Sequence, residues 1–213
     1  MSKILITGAS SGIGAGLYGH YKRKGLVVVG LSRRGPDVYA DLTHNTRALI
    51  ANIVREYGAF DVVILNAGMT PEDELAHHQE TLQLNFLVNW HFLERQYKVG
   101  DLVRFGGCFV VNGSALGVTG CGDLPFYSAT KAALLNLVKS YAKMLVQEDV
   151  RVNAFSCGFV DTPMNADVPK RLINAIPMKR QARVEELFPV VDMLIDCTYM
   201  TGANVIVDGG ESL

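Results

Sequence analysis

The sequence predicts one α/β domain, a three-layer, doubly wound parallel sheet with helices on both faces, and three observations carry that prediction. Short β-branched apolar runs recur along the 213 residues; longer segments with helical spacing separate them; no Gly/Ser linker, charge block, low-complexity tract or internal repeat breaks the series. Strand and helix in alternation imply parallel pairing, because a parallel neighbour has to be reached by a crossover. A single domain also suits the length, against roughly 100–200 residues per domain.

Taken in order, the first run is Ile4–Thr7, followed by a glycine-rich turn and helical spacing over Gly12–Lys24. Leu26–Ser32 is the next run, with helical spacing again at Thr43–Glu56; Phe60–Leu65 precedes a helical segment at Glu80–Tyr97. Cys108–Ser114 precedes the long apolar-periodic segment Phe126–Gln147, Val150–Ser156 follows, and Val184–Asp196 leads to the last run, Asn204–Val207. The runs are continuous rather than alternating, as expected of strands covered on both faces. In such sheets ligands bind beyond the carboxyl ends of the strands, so the informative residues are sought there.

Composition excludes several classes. Hydrophobic residues at 49% with charged residues at 19% fit a packed chain and not a disordered one. Twenty Lys and Arg against 21 Asp and Glu leave a net charge of -1, with no global drive toward nucleic acid or an anionic membrane. MSKILITG has no long apolar core behind a basic end and reads as a strand, not a signal peptide. The uncharged stretch from Phe105 to Gly122 carries six glycines plus Asn112, Ser114 and Thr119, too broken for a membrane helix. Cysteines 108, 121, 157 and 197 lack CxxC spacing, and His77 with His78 lack partners at ligand spacing, so neither a disulfide framework nor a metal site is expected. A soluble, cytoplasmic protein is the expectation.

Residues 7–14 read TGASSGIG between a strand and a helix. Gly8 suits a tight turn, and Gly12 and Gly14 let backbone N–H groups approach a pyrophosphate at the positive end of the helix. No Lys-Ser or Lys-Thr follows, which argues against an NTPase P-loop. Gly16 and Gly19, inside the helix, are attributed to close packing on the sheet. Further on, Tyr127 and Lys131 stand four apart at the start of a helix and share one face. A phenol that exchanges a proton with an alkoxide near neutrality needs its anion stabilised, and a neighbouring ammonium supplies that. Ser114 lies just past a strand, where its hydroxyl can polarise a carbonyl oxygen, and Asn85 lies upstream in a helix.

Together these residues make the chain resemble a short-chain dehydrogenase/reductase of the compact type over nearly its whole length. TGASSGIG resembles the family's cofactor turn, with Gly8, Ser10, Ser11, Gly12, Ile13 and Gly14 as the implied contacts. Asp41-Leu42 resembles the acidic pair at the adenine, Asn66-Ala67-Gly68 the NAG segment, Asn85, Ser114, Tyr127 and Lys131 the catalytic tetrad, and Val207-Asp208-Gly209-Gly210 the closing strand and turn. The resemblance implies a Rossmann-like sheet of about seven strands. It also implies roles: Tyr127 exchanges the proton, Lys131 lowers its pKa and binds the nicotinamide ribose, Ser114 orients the substrate oxygen, and Asn85 holds a water in a relay from Lys131. Cys157-Gly158 departs from the family's Pro-Gly, which predicts a looser turn beside the nicotinamide, whose contacts map to Gly158, Val160 and Thr162.

At the end of the second strand, where a carboxylate would select NAD, the chain has Ser32 followed by Arg33 and Arg34. Arginine's fork of donors suits a phosphate dianion, so NADP(H) is preferred, with NAD(H) still open. The segment from about 158 to 183 corresponds to the substrate loop of the family, and Leu116, Val118, Phe126, Phe159 and Met164 are candidates for an apolar substrate wall. The expected activity is hydride transfer between the nicotinamide and a carbonyl or secondary alcohol; the alternative is a nucleotide-binding regulatory or scaffold protein of the same fold without turnover. Apolar residues on more than one face of the helices around 80–97 and 126–147 suggest a homodimer or homotetramer.

Overall fold

The computed structural model describes residues 2–213. Seven strands, all parallel, form one sheet in the order β3-β2-β1-β4-β5-β6-β7. They are β1 (Lys3–Thr7), β2 (Val27–Ser32), β3 (Val38–Tyr39), β4 (Phe60–Leu65), β5 (Val103–Asn112), β6 (Arg151–Cys157) and β7 (Asn204–Val207). The chain starts in the middle, winds outward to β3, then crosses to β4 and winds outward the other way. The order therefore reverses beside β1, which opens a crevice at the carboxyl ends of β1 and β4.

Alternate residues of each strand feed two cores. Leu5, Val63, Phe109, Val111 and Val152 point to one side, where α2 (Thr46–Tyr57), α4 (Val88–Val99) and α6 (Pro125–Leu145) cover them. Ile4, Ile6, Val62, Ile64 and Val110 point to the other, under α1 (Gly12–Arg23) and α8 (Phe188–Asp196). Residues such as Leu5, Ile6, Val63 and Phe109 are fully buried. Helices on both sides leave the central strands no solvated face, which is why the apolar runs are unbroken.

The structure departs from the sequence reading at several elements. β3 has two residues, too few to register as an apolar run. β5 begins at Val103, with its register against β4 shifted between Phe60 and Val62; a Cβ on Gly107 would lie 2.6 Å from the Asp61 carbonyl oxygen. The helix expected from Glu80 starts at Glu74 as α3 (Glu74–Leu82), and a π-helical turn at Gln83–Leu87 joins it to α4. Asp73 sets that start by accepting the N–H groups of Leu75 and Ala76 at 2.9 and 3.1 Å. The short α5 (Leu116–Thr119) and α7 (Lys170–Ala175) complete the set, and a 3-10 turn at Val184–Leu187 precedes α8.

Gly16 and Gly19 do not pack on the sheet. A Cβ on Gly16 would come within 2.3 Å of Val184 Cγ1, so this glycine admits the 3-10 turn, while Gly19 faces only Arg23 of its own helix, at 3.1 Å. Arg151 at the start of β6 is buried and donates to the carbonyls of Leu194 at 2.8 Å, Cys197 at 3.1 Å and Ile195, closing the carboxyl end of α8. Among the described residues no helix is long and apolar enough to cross a membrane.

Candidate functional site

The carboxyl ends of four central strands are tied by polar side chains. The Thr7 hydroxyl oxygen accepts the N–H groups of Asn66 and Ala67 at 2.9 and 3.0 Å. Asn66 donates through Nδ2 to the Thr7 carbonyl at 3.1 Å and accepts at Oδ1 from Asn112 Nδ2 at 3.0 Å. The Cys157 thiol donates to Asn112 Oδ1 at 3.7 Å. Asn112 thus stands between two strand ends, and its carbonyl accepts Lys131 Nζ at 3.0 Å.

Over this edge the chain makes its glycine turn. Gly8 and Gly12 have φ of 71 and 53, the left-handed region that a side chain strains. Gly14 works differently: a Cβ there would lie 2.2 Å from the Gly8 carbonyl oxygen and 2.5 Å from Asn66 Nδ2, so it lets α1 seat on the turn. The first turn of α1 has no capping side chain, which leaves N–H groups and the positive helix end facing outward.

Beside the turn, Arg33 and Arg34 are exposed, and among the described residues neither guanidinium is in an ion pair. The Ser32 hydroxyl donates to the Gly35 carbonyl and accepts the Arg34 N–H at 3.3 Å, so it shapes the turn that presents the arginines. Asp41 accepts the Thr43 N–H and hydroxyl at 2.9 and 2.6 Å, and these bonds hold its carboxyl below its usual range.

At the other end stand Ser114, after β5, and Tyr127 and Lys131, on the first turns of α6. All three are buried, with exposures of 7%, 9% and 5%. Lys131 Nζ lies 5.9 Å from the centroid of the Tyr127 ring. Burial pulls the Lys131 ammonium down to about 8, with Cys157 acting the other way. Burial pushes the Tyr127 phenol up, while the hydroxyls of Ser114 and Thr70 act to lower it. The lowering expected from a neighbouring ammonium is therefore not the dominant effect on this phenol; desolvation is.

A single cavity of about 970 Å³ runs from the arginines to the tyrosine. Every expected site residue lines it except Gly14 and Asn85. Asn85 is fully buried in the π-helical turn; its Oδ1 accepts the Met69 N–H and its Nδ2 donates to the Met69 carbonyl, both at 2.9 Å. Its carbonyl accepts Asn89 Nδ2 at 2.9 Å. The side chain is committed to the backbone and pins the segment after Gly68.

Of the expected apolar wall, Leu116, Phe159 and Met164 line the cavity, whereas Val118 and Phe126 do not. Val118 is 49% exposed, and Phe126 meets the edge of His78 with ring centroids 6.0 Å apart. The looser turn expected from Cys157 is not found: Ala115 N–H donates to the Cys157 carbonyl at 3.0 Å and Gly158 N–H to the Val207 carbonyl at 3.1 Å. Burial pushes the Cys157 thiol up to about 11. Sequence reasoning missed Thr70, Glu80, Asp123 and Glu211, which also line the cavity. It missed Glu74 too, which accepts the N–H groups of Phe126 and Tyr127 from outside it. Thr70, two residues past Gly68, was within reach of the motif; the others carry no spacing signal.

Comparison with known proteins adds a family. Residues 31–212 match a family model described as enoyl-(acyl carrier protein) reductase. The chain is 30% identical to cis-4-hydroxycyclohexanecarboxylate dehydrogenase of Sinomonas cyclohexanicum, over 97% of this chain and 94% of that one. It is 28% identical to the 3-oxoacyl-[acyl-carrier-protein] reductase FabG of Thermotoga maritima, over 97% and 96%. Among solved structures, BdcA in complex with NADPH shares the fold at a TM-score of 0.87 and 23% identity, covering 98% of this chain and 93% of that one.

Proposed function

The chain belongs to the short-chain dehydrogenase/reductase family, and on that premise we propose that it is an NADP(H)-dependent oxidoreductase interconverting a carbonyl compound and a secondary alcohol. The observation that carries this reading is one cavity with a glycine turn and two free guanidinium groups at one end and Ser114, Tyr127 and Lys131 at the other. The residues fit a dinucleotide phosphate. The positive φ at Gly8 and Gly12 and the open amino end of α1 suit a pyrophosphate, and Arg33 with Arg34 suits a 2′-phosphate.

When bound, the nicotinamide supplies or takes up the hydride. The chain's own residues handle the oxygen. The Ser114 hydroxyl donates to the substrate oxygen, and the Tyr127 phenol gives that oxygen its proton in reduction and takes it back in oxidation. Lys131, steadied by the Asn112 carbonyl, would hold the cofactor ribose, and its ammonium balances the phenolate as it forms. Of the other residues lining the cavity, Gly158, Val160 and Thr162 would hold the nicotinamide, Asp41 and Leu42 the adenine, and Asn66, Ala67 and Gly68 the stretch between. Asn85 acts as a positioning residue through Met69.

We assign the substrate loop to 158–183, whose Phe159, Met164, Leu172 and Ile176 face the cavity. They suit a carbonyl compound with an apolar body. Following NADPH absorbance with ketones, aldehydes and acyl thioesters tests the assignment. Turnover of one class is expected, with Tyr127→Phe lowering kcat by about 100-fold or more. Unchanged turnover in that variant would sink the mechanism.

A further inference from the structure

We propose that Glu74 is a positioning residue for this chemistry: its carboxylate clamps the first turn of α6, so that the segment after β4 and the helix carrying Tyr127 hold one register. The inference rests on the oxidoreductase reading for its meaning and on the following contacts for its substance. α6 has no capping side chain at Leu124, and its first residue, Pro125, has no N–H. Ser128 N–H bonds to the Leu124 carbonyl at 3.0 Å. The two remaining donors of the turn go to one carboxylate from another helix: Phe126 N–H to Glu74 Oε2 at 3.0 Å, and Tyr127 N–H to Glu74 Oε1 at 2.6 Å. A Ser or Asp at position 124 would satisfy such donors locally. An acid 53 residues upstream of Tyr127 adds a tether that a local cap lacks.

The tether is anchored at its root and repeated along its length. Asp73 caps α3 and so fixes where Glu74 begins. Asn85 holds both backbone groups of Met69. The Thr70 hydroxyl, between these two points, donates to Met164 Sδ at 3.6 Å. Residues 69–74 therefore form a strap fastened at the π-helical turn and at the backbone of the tyrosine. The strap continues directly from Asn66-Ala67-Gly68, which line the middle of the cavity.

A carboxylate across a helix amino end also neutralises the positive pole beside the tyrosine. The groups that face the phenol are Ser114 from the loop after β5, Thr70 from the strap, Cys157 at the end of β6 and Lys131 one turn along α6. Removing the Glu74 charge unmasks the pole and makes the phenol more acidic; hydration of a loosened site would act the same way, so the fall is read in Glu74→Gln at an unchanged melting temperature.

The test uses the full chain with Glu74→Gln and Glu74→Ala, each paired with its Tyr127→Phe counterpart as a blank. Difference absorbance titration then isolates the Tyr127 phenolate. Its midpoint is expected to fall by about half a pH unit in both variants. With the carbonyl compound turned over best by the wild type, kcat is expected to drop about tenfold in Glu74→Ala and less in Glu74→Gln, which keeps one acceptor oxygen. The NADPH dissociation constant should stay within about twofold. If Glu74→Ala does not fold, Glu74→Gln decides through the titration and kcat together. An unmoved midpoint, or an unchanged kcat alongside a lowered melting temperature, would reduce Glu74 to an ordinary cap and overturn the proposal. If no carbonyl compound is turned over, the oxidoreductase reading fails, and the titration still decides the clamp.

Discussion

Lys131 is the residue whose environment differs most from what its sequence neighbours suggest. One turn from a tyrosine it looks like a simple counter-charge, yet it is 5% exposed and bonded to one carbonyl, and burial brings its pKa from 10.5 to about 8. For a lysine depressed in this way, the unfolded chain binds more protons than the folded one between those two values. The cost of burying the charge is present in full below about pH 8 and is relieved as pH rises toward 10.5. Wild type should therefore gain stability relative to Lys131→Met across that window, on the order of a few kcal/mol, by urea denaturation at stepped pH. A difference independent of pH would contradict the assigned burial. Arg33 and Arg34 belong to the same scale. Replacing both with Ala should weaken NADPH binding at least about tenfold and leave NADH binding nearly unchanged, by fluorescence titration. These two residues were legible because a strand end followed by two arginines needs no tertiary partner to be noticed. Glu74 was not, because its role is defined only by α6 arriving beside it.

At the scale of elements, regular spacing carried the reading, and irregular spacing limited it. The long segment at 126–147 is visible because its apolar positions recur with helical period; α6 ends at Leu145, where a 3-10 turn follows. The stretch before Glu80 was missed because the start of α3 is polar, and only Asp73 marks its beginning. The π-helical turn places Asn85 against Met69, and nothing in residue type announces such a turn. α8 shows how one buried cation can finish an element. The Arg151 guanidinium meets carbonyls from Leu194 to Cys197, where the helix has no donors of its own. Arg151→Met should cost about 2–4 kcal/mol in urea denaturation, since several carbonyls lose a charged donor at once. A loss under about half a kcal/mol would mean that water serves the helix end as well.

The whole molecule combines a sheet buried on both sides with helices that keep apolar side chains outside. Tyr97 and Val99 at the end of α4, Met144 at the end of α6 and Val146 in the 3-10 turn after it are between 37% and 54% exposed. We propose that these helices pack against a second copy, as a homodimer or homotetramer. Sedimentation velocity should then give a mass at least twice that of the 23.2 kDa chain, and Tyr97→Glu with Met144→Glu should shift it toward the monomer. A monomeric wild type would refute this.

The strand order has one last consequence. Because the chain begins at the centre and finishes one flank before building the other, β1 to β3 and their loops supply the glycine turn and the arginines, while Ser114, Tyr127 and Lys131 all come from the flank built afterwards. Coenzyme choice and carbonyl chemistry are thus written in successive paragraphs of the gene, and an engineer can revise either passage without retyping the other.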